Sequence, residues 1–141
     1  MEESIKLYYE VSGTDFTSAG AASGDVKRTL KQLGVSPTAI RNVAIAMYEG
    51  EINMVIHAGG GEAEVKVCED YIEIVLSDHG PGIKDIEQAM QEGFSTATDN
   101  IRSLGFGAGM GLPNMKRYSD YMDIQSTVGV GTTITMRVNI N

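Results

Sequence analysis

The stretch from Pro37 to His57 reads as a helix that is apolar on nearly every side, and this most narrows what the chain can fold into. At about 100° per residue, Ile40, Val43, Met47 and Met54 cover one side, while Ile45, Ile52 and Ile56 line a shoulder of the other. Between them runs a narrow polar track. Glu49, Asn53 and His57 recur every four residues, and Asn42, Glu49 and Asn53 fall within an arc of about 40°. A solvated face would be rich in Lys and Glu. Buried polar groups need partners, so this track either faces a ligand or is satisfied inside the core. Ser36-Pro37 supplies an N-cap followed by Pro at the first helical position, and Ala58-Gly59-Gly60-Gly61 ends the helix.

The remaining elements arrange themselves around this one. Ile5, Leu7, Tyr9 and Val11 alternate with polar neighbours and predict a strand, closed by Ser12-Gly13-Thr14-Asp15. A helix is expected from about Phe16 to Leu33, with Gly34 as its C-cap, although its Ala/Gly/Ser-rich first half offers no start signal. Glu64–Cys68 and Tyr71–Ser77 predict a hairpin around Glu69-Asp70. A short helix is expected from Asp85 to about Gln91, a long irregular loop over 93–108, and a helix from about Met110 to Ser119. Strands near Tyr121–Thr127 and Thr132–Asn139 finish the chain. The predicted class is α+β: a two-layer sandwich, with a mixed, mostly antiparallel sheet and helices packed on one face.

At 141 residues the chain is read as one domain, 1–141. Its formal net charge of -8 argues against a nucleic-acid binder, whose affinity rests on neutralising phosphates. It leaves anionic ligands open, because backbone N–H groups can bind phosphate without net positive charge. The single cysteine, Cys68, allows no internal disulfide and reads as a plain buried thiol. No signal peptide and no membrane-spanning run are recognised, so a cytoplasmic protein is expected.

Four motifs carry chemistry. On the polar track, Glu49 is a candidate general base and Asn53 a candidate oxygen ligand for Mg²⁺. Asp78-His79-Gly80-Pro81-Gly82 follows a strand; its carboxylate can accept from the edge of a base, or the segment is an ordinary turn. Gly105-Phe-Gly-Ala-Gly-Met-Gly-Leu112 runs into a helix and exposes successive N–H groups, as a phosphate cradle or as a hinge. It lacks the Gly-Lys-Ser/Thr of a Walker loop, and no strand precedes it as a Rossmann fingerprint requires. Gly129-Val-Gly131-Thr132 joins the last two strands as a hairpin turn.

Taken in this order, Glu49-x₃-Asn53, Asp78-x-Gly80-x-Gly82, the Gly105–Gly111 cluster and Gly129-x-Gly131-Thr132 resemble the N, G1, G2 and G3 boxes of the GHKL (Bergerat-fold) ATP-binding superfamily. The resemblance spans about residues 20–138. The short length, the run from Gly105 to Arg117 and Gly93-Phe-Ser-Thr96 are most similar to the bacterial serine-protein kinase/anti-sigma-factor branch.

That resemblance implies ATP and Mg²⁺ as cofactors. It makes Asn53 the metal ligand and Glu49 the base on an attacking hydroxyl. Asp78 would accept from the adenine amino group, with Gly80, Gly82 and Thr132 supporting it. Gly105, Gly107, Gly109, Met110 and Gly111 would wrap the phosphates, and 93–108 would be the lid. Arg102 lies in that lid without a motif to fix its role, and His57 has a packing role at least as readily as a catalytic one. The implied activity is phosphoryl transfer to a serine or threonine of a STAS-type anti-sigma-factor antagonist. The alternative is a nucleotide-dependent module that sequesters a sigma factor or another partner, and a third reading is a binder with impaired turnover, for which Gly50, Glu51 and the longer glycine-rich lid are the places to inspect. No nucleic acid or membrane partner is implied, and a homodimer is left open. A histidine kinase would need a phosphoacceptor helix pair ahead of this domain, whereas the residues before Pro37 begin as a strand.

Overall fold

Alternating side chains give each strand one dry and one wet face, and a five-stranded sheet assembles from that pattern. The structure is a computed structural model and describes residues 4–13, 20–83, 85–86, 90 and 111–140. Its elements are β1 (Ile5–Ser12), α1 (Ala21–Gln32), α2 (Pro37–His57), β2 (Gly60–Val67), β3 (Tyr71–Ser77), α3 (Gly111–Arg117), β4 (Tyr121–Thr127) and β5 (Gly131–Asn139). The strand order is β1-β2-β3-β5-β4, and all the pairings are antiparallel. Most of the expected short helix at 85–91, the whole of the expected lid at 93–108 and the early start of α1 fall outside the described residues. Among the described residues no helix is long and apolar enough to cross a membrane.

The register stacks apolar rows beneath the helices. Val65, Ile74 and Met136 are opposed in turn across three strands and fully buried, and Ala63, Leu76 and Ile134 form the next row. The other face is polar. There Arg137 donates from Nε to Glu73 at 2.9 Å and lies 5.2 and 5.3 Å from the ring centres of Tyr71 and Tyr121. Helix α1 crosses to the sheet edge through Tyr9, whose hydroxyl donates to Asp25 Oδ2 at 2.6 Å. Burial and that bond push the Tyr9 phenol well above its ordinary value.

Helix α2 is the centre of the dry layer. Beyond its first two residues only Arg41 and Tyr48 are exposed, because the sheet, α1 and α3 all pack on it. Ser36 caps it, its Oγ accepting from Ala39 N at 3.4 Å. Gly50 lets the helix lie close to its neighbours: a Cβ there would sit 2.1 Å from Leu76 Cδ1 and 3.2 Å from Met115 Sδ.

Glu51, 2% exposed, explains how α1 begins without a local start signal. The N-cap of α1 is Gly20, which has no side chain to offer. The Glu51 carboxylate reaches across from α2 and accepts from the backbone N–H of Gly20 (2.7 Å), Ala22 (3.3 Å) and Ser23 (3.0 Å). These are the orphan donors of a first helical turn, and a carboxylate also suits the positive end of the helix dipole. At the far end Gly34, at φ 76°, closes a Schellman turn through Gly34 N–H to Lys31 O and Val35 N–H to Leu30 O, both 3.1 Å. Glu51→Ala leaves three backbone donors, two of them buried, without an acceptor and is expected to cost roughly 2–4 kcal/mol. Urea unfolding measures this as a lower midpoint, and a midpoint unmoved by the substitution would refute the capping role.

Candidate functional site

The four-residue spacing on α2 keeps Glu49, Asn53 and His57 on one face, and all three are half-buried. Helix α3 docks across this face by burying Leu112 and Met115, with Pro113 tolerated in its first turn. Gly111 and Asn114, three residues apart, are thereby brought to the polar track. A Cβ built on Gly111 would lie 3.8 Å from Asn53 Oδ1 and 3.9 Å from Glu49 Oε2. Asn114 Nδ2 donates to Glu49 Oε1 at 3.3 Å. One carboxylate oxygen is thus held by an amide, while the other lies on the same side as the Asn53 oxygen.

A second cluster forms where β3, β4 and β5 end together. Asp78 follows β3 and extends its ladder, donating from N to Thr132 O at 2.9 Å. Its Oδ1 accepts from Gly80 N at 3.0 Å and from Thr132 N at 3.2 Å, which fixes the carboxylate on two backbone donors. No hydrogen bond to Oδ2 is made among the described residues. The turn after Asp78 is pinned to the β4–β5 hairpin, because Gly129 N donates to Pro81 O at 2.9 Å and Ile83 N donates to Ser126 Oγ at 2.7 Å. Gly131, with φ 148°, admits the Asp78 carbonyl where a Cβ would stand 2.1 Å from it. Gly80 lies against Ala58, so this turn meets the C-terminal end of α2.

Of the residues expected to form the site, Glu49, Asn53 and Gly111 come together, and Asp78, Gly80, Gly82 and Thr132 come together beside the end of α2. Gly105, Gly107, Gly109, Met110 and Arg102 lie outside the described residues. His57 sits on the track, and burial pushes its imidazole below the ordinary 6.5. Gly50 and Glu51 do not enter the site: one takes up Leu76 and Met115, the other caps α1. Asn114 and Ser126 were not anticipated; an Asn three residues after a helix-starting Gly is a weak signal, and a Ser in a strand is none. The oxygen-only donors Glu49 and Asn53 suit a hard cation such as Mg²⁺, which takes few protein ligands. Among the described residues no three His, Cys, Asp or Glu side chains gather to cage a metal.

Comparison with known proteins agrees with this geometry. Residues 38–141 match the family described as histidine kinase-, DNA gyrase B-, and HSP90-like ATPase. The serine/threonine-protein kinase RsbT of Bacillus subtilis is 32% identical over 112 residues, covering 77% of this chain and 78% of that protein. An anti-sigma F factor of Caldanaerobacter subterraneus is 32% identical over 110 residues, covering 74% and 73%. In fold, the chain is similar to the RsbU and RsbW domains of a Mycobacterium tuberculosis protein, with a TM-score of 0.65 at 16% identity over 95% of this chain and 32% of that longer one. It is also similar to a chain of the SiaB-SiaC complex from Pseudomonas aeruginosa, with a TM-score of 0.56 at 11% identity, covering 95% and 89%.

Two expectations test the site's construction. Gly82 and Gly129 share φ 80°, yet a Cβ on Gly82 would stand 2.5 Å from Thr127 O, while nothing lies within 4 Å of one on Gly129. Gly129→Ala should therefore cost about 1 kcal/mol of conformational strain, and Gly82→Ala at least roughly 1–2 kcal/mol more, as read from denaturant midpoints. Equal losses would refute the close approach. For His57, a depressed folded-state pKa means that the unfolded chain binds the proton more readily, so stability falls as pH drops below 6.5. The denaturant midpoint should decline over that window, and His57→Gln should flatten the decline.

Proposed function

The chain belongs to the histidine kinase-, DNA gyrase B- and HSP90-like ATPase family, and from that footing we propose that it is an ATP-dependent serine/threonine protein kinase. Its substrate is a small regulatory partner of the STAS-type anti-sigma-factor-antagonist kind, in a bacterial and cytoplasmic signalling switch. The observation that carries this is the pairing of Glu49 and Asn53 beside Gly111, with one Glu49 oxygen held by Asn114.

Each residue has a distinct task. Asp78 Oδ2 accepts from the adenine amino group, and its other oxygen is immobilised by Gly80 and Thr132 so that the acceptor keeps its place. Asn53 Oδ1 is the protein ligand for Mg²⁺, which when bound supplies positive charge against the phosphates. Gly105, Gly107, Gly109, Met110 and Gly111 offer backbone N–H groups to those phosphates. Glu49 Oε2 takes the proton of the attacking serine or threonine hydroxyl. The hydroxyl oxygen forms its bond to the γ-phosphorus as the bond to the β–γ bridging oxygen breaks, and ADP leaves. Positioning and charge neutralisation supply most of the acceleration in such transfers.

A second reading is favoured by the relatives named anti-sigma F factors: a module that sequesters a sigma factor in a nucleotide-dependent way. The two separate in one assay. With labelled ATP and a STAS-type antagonist, the unmodified chain should transfer phosphate, and Glu49→Ala should lower transfer by at least about 10²-fold while calorimetric ADP binding stays largely intact. Full transfer by that variant would overturn Glu49 as base. Capture of a sigma factor with no transfer would favour the sequestering module. Loss of Mg²⁺-dependent adenine-nucleotide binding in the unmodified chain would remove both.

A further inference from the structure

Glu49 enters the transfer through one carboxylate oxygen, so something must decide which way that carboxylate faces. Packing of its stem does not decide it. The last rotatable bond of a glutamate joins a tetrahedral to a planar carbon, and its wells are broad. A hydrogen bond to one oxygen fixes the carboxylate plane and, with it, the direction of the other oxygen. Asn114 supplies that bond from across 65 positions of chain, its Nδ2 donating to Glu49 Oε1 at 3.3 Å. Chemistry settles the direction. A carboxylate that serves as a base can only accept, and of the two amide atoms only the nitrogen carries protons.

The amide is placed there against local preference. Gly111, Pro113 and Asn114 are all poor helix formers, and they make up three of the seven residues of α3. Tertiary packing seats the helix instead. Leu112 and Met115 are buried, and Met115 Sδ lies where a Cβ on Gly50 would come within 3.2 Å of it. Gly50 follows Glu49 directly, so the contact that seats Met115 also brings its neighbour Asn114 to the base. Behind it, Tyr118 N donates to Asn114 O at 3.1 Å and Ser119 Oγ donates to Met115 O at 2.7 Å, which closes the end of the helix. Glu49 and Asn114 are both half-buried, so water competes only in part for the bond between them.

We propose that Asn114 is a positioning residue for phosphoryl transfer: by holding Oε1 it turns Oε2 toward the attacking hydroxyl. The space it turns to is the one in front of Gly111, where a Cβ would lie 3.9 Å from Oε2 and 3.8 Å from Asn53 Oδ1. One short helix therefore leaves room beside the base and also aims it. The inference rests on the reading of Glu49 as base and adds the residue that orients it. Asn114 acts through Glu49 and need not touch nucleotide or acceptor.

The test is single-turnover transfer from saturating labelled ATP to a STAS-type antagonist, with calorimetric ADP binding measured alongside. Asn114→Ala should slow transfer about tenfold, the worth of one hydrogen bond, while ADP affinity stays within about twofold. Asn114→Gln, which keeps the amide on a longer stem, should recover most of the rate. Asn114→Asp, close in shape but without a donor once ionised, should not; that contrast keeps the test decisive should the alanine variant fold poorly. In the Glu49→Ala background, adding Asn114→Ala should slow the residual transfer no further, since no carboxylate is left to orient. Unchanged transfer by Asn114→Ala and Asn114→Asp would overturn this inference alone. So would a further fall in the Glu49→Ala background, or a loss of ADP affinity that matches the loss of rate in Asn114→Ala, either of which gives Asn114 a structural role. Full transfer by Glu49→Ala, or none by the unmodified chain, would overturn the base reading and this inference with it.

Discussion

A helix that is apolar almost all round has to be enclosed, and the enclosure of α2 organises the molecule. The sheet covers one side, α1 another and α3 a third. Burial of so much apolar surface drives the assembly, at about 25 cal/mol per Å² removed from water. It also brings the polar residues of α2 indoors, where each needs a partner. Glu51 is satisfied by the first turn of α1 and Glu49 by Asn114 of α3, so the covering helices answer polar demands as well as apolar ones. The face shared by Glu49 and Asn53 is the part of the helix that α3 meets with a glycine rather than a bulky side chain.

The second half of the site is made by the sheet. Strand register alone carries Thr132 to Asp78 and Ser126 to Thr132, and close backbone approaches at Gly82 and Gly131 seal the three strand ends together. Backbone donors hold the Asp78 carboxylate, so its orientation does not depend on the rotamers of long side chains. Such rigidity suits a group that reads the edge of a ligand.

Much of this was legible in the sequence. Alternation located the strands, although β2 begins at Gly60 where Glu64 was expected, Ser36-Pro37 marked the start of α2, and Gly34 marked the end of α1. The glycine-rich motifs, taken together in order, pointed to the family to which the chain belongs. What could not be read shares one physical character: it consists of hydrogen bonds between residues far apart in the chain. Glu51 caps Ser23 across 28 positions, Ser126 holds Ile83 across 43, and Asn114 holds Glu49 across 65. No local period encodes such partners. Glu51 stood out in the sequence beside the polar track, whereas its role as acceptor for the first turn of α1 did not.

The strand order has a consequence for how the molecule comes into being. β5 is the last strand in the chain, yet it lies inside the sheet, between β3 and β4. As the chain is synthesised, β1, β2 and β3 can pair as they emerge, but β4 has no neighbour until β5 arrives to join it to the rest. Thr132 and Gly131 arrive with that same strand. The polar track on α2 is therefore formed by residues that precede the sheet's closure, whereas the cluster of Asp78, Gly80 and Thr132 forms only when β5 joins β3. Closure of the sheet and assembly of the Asp78–Thr132 cluster are thus one and the same step.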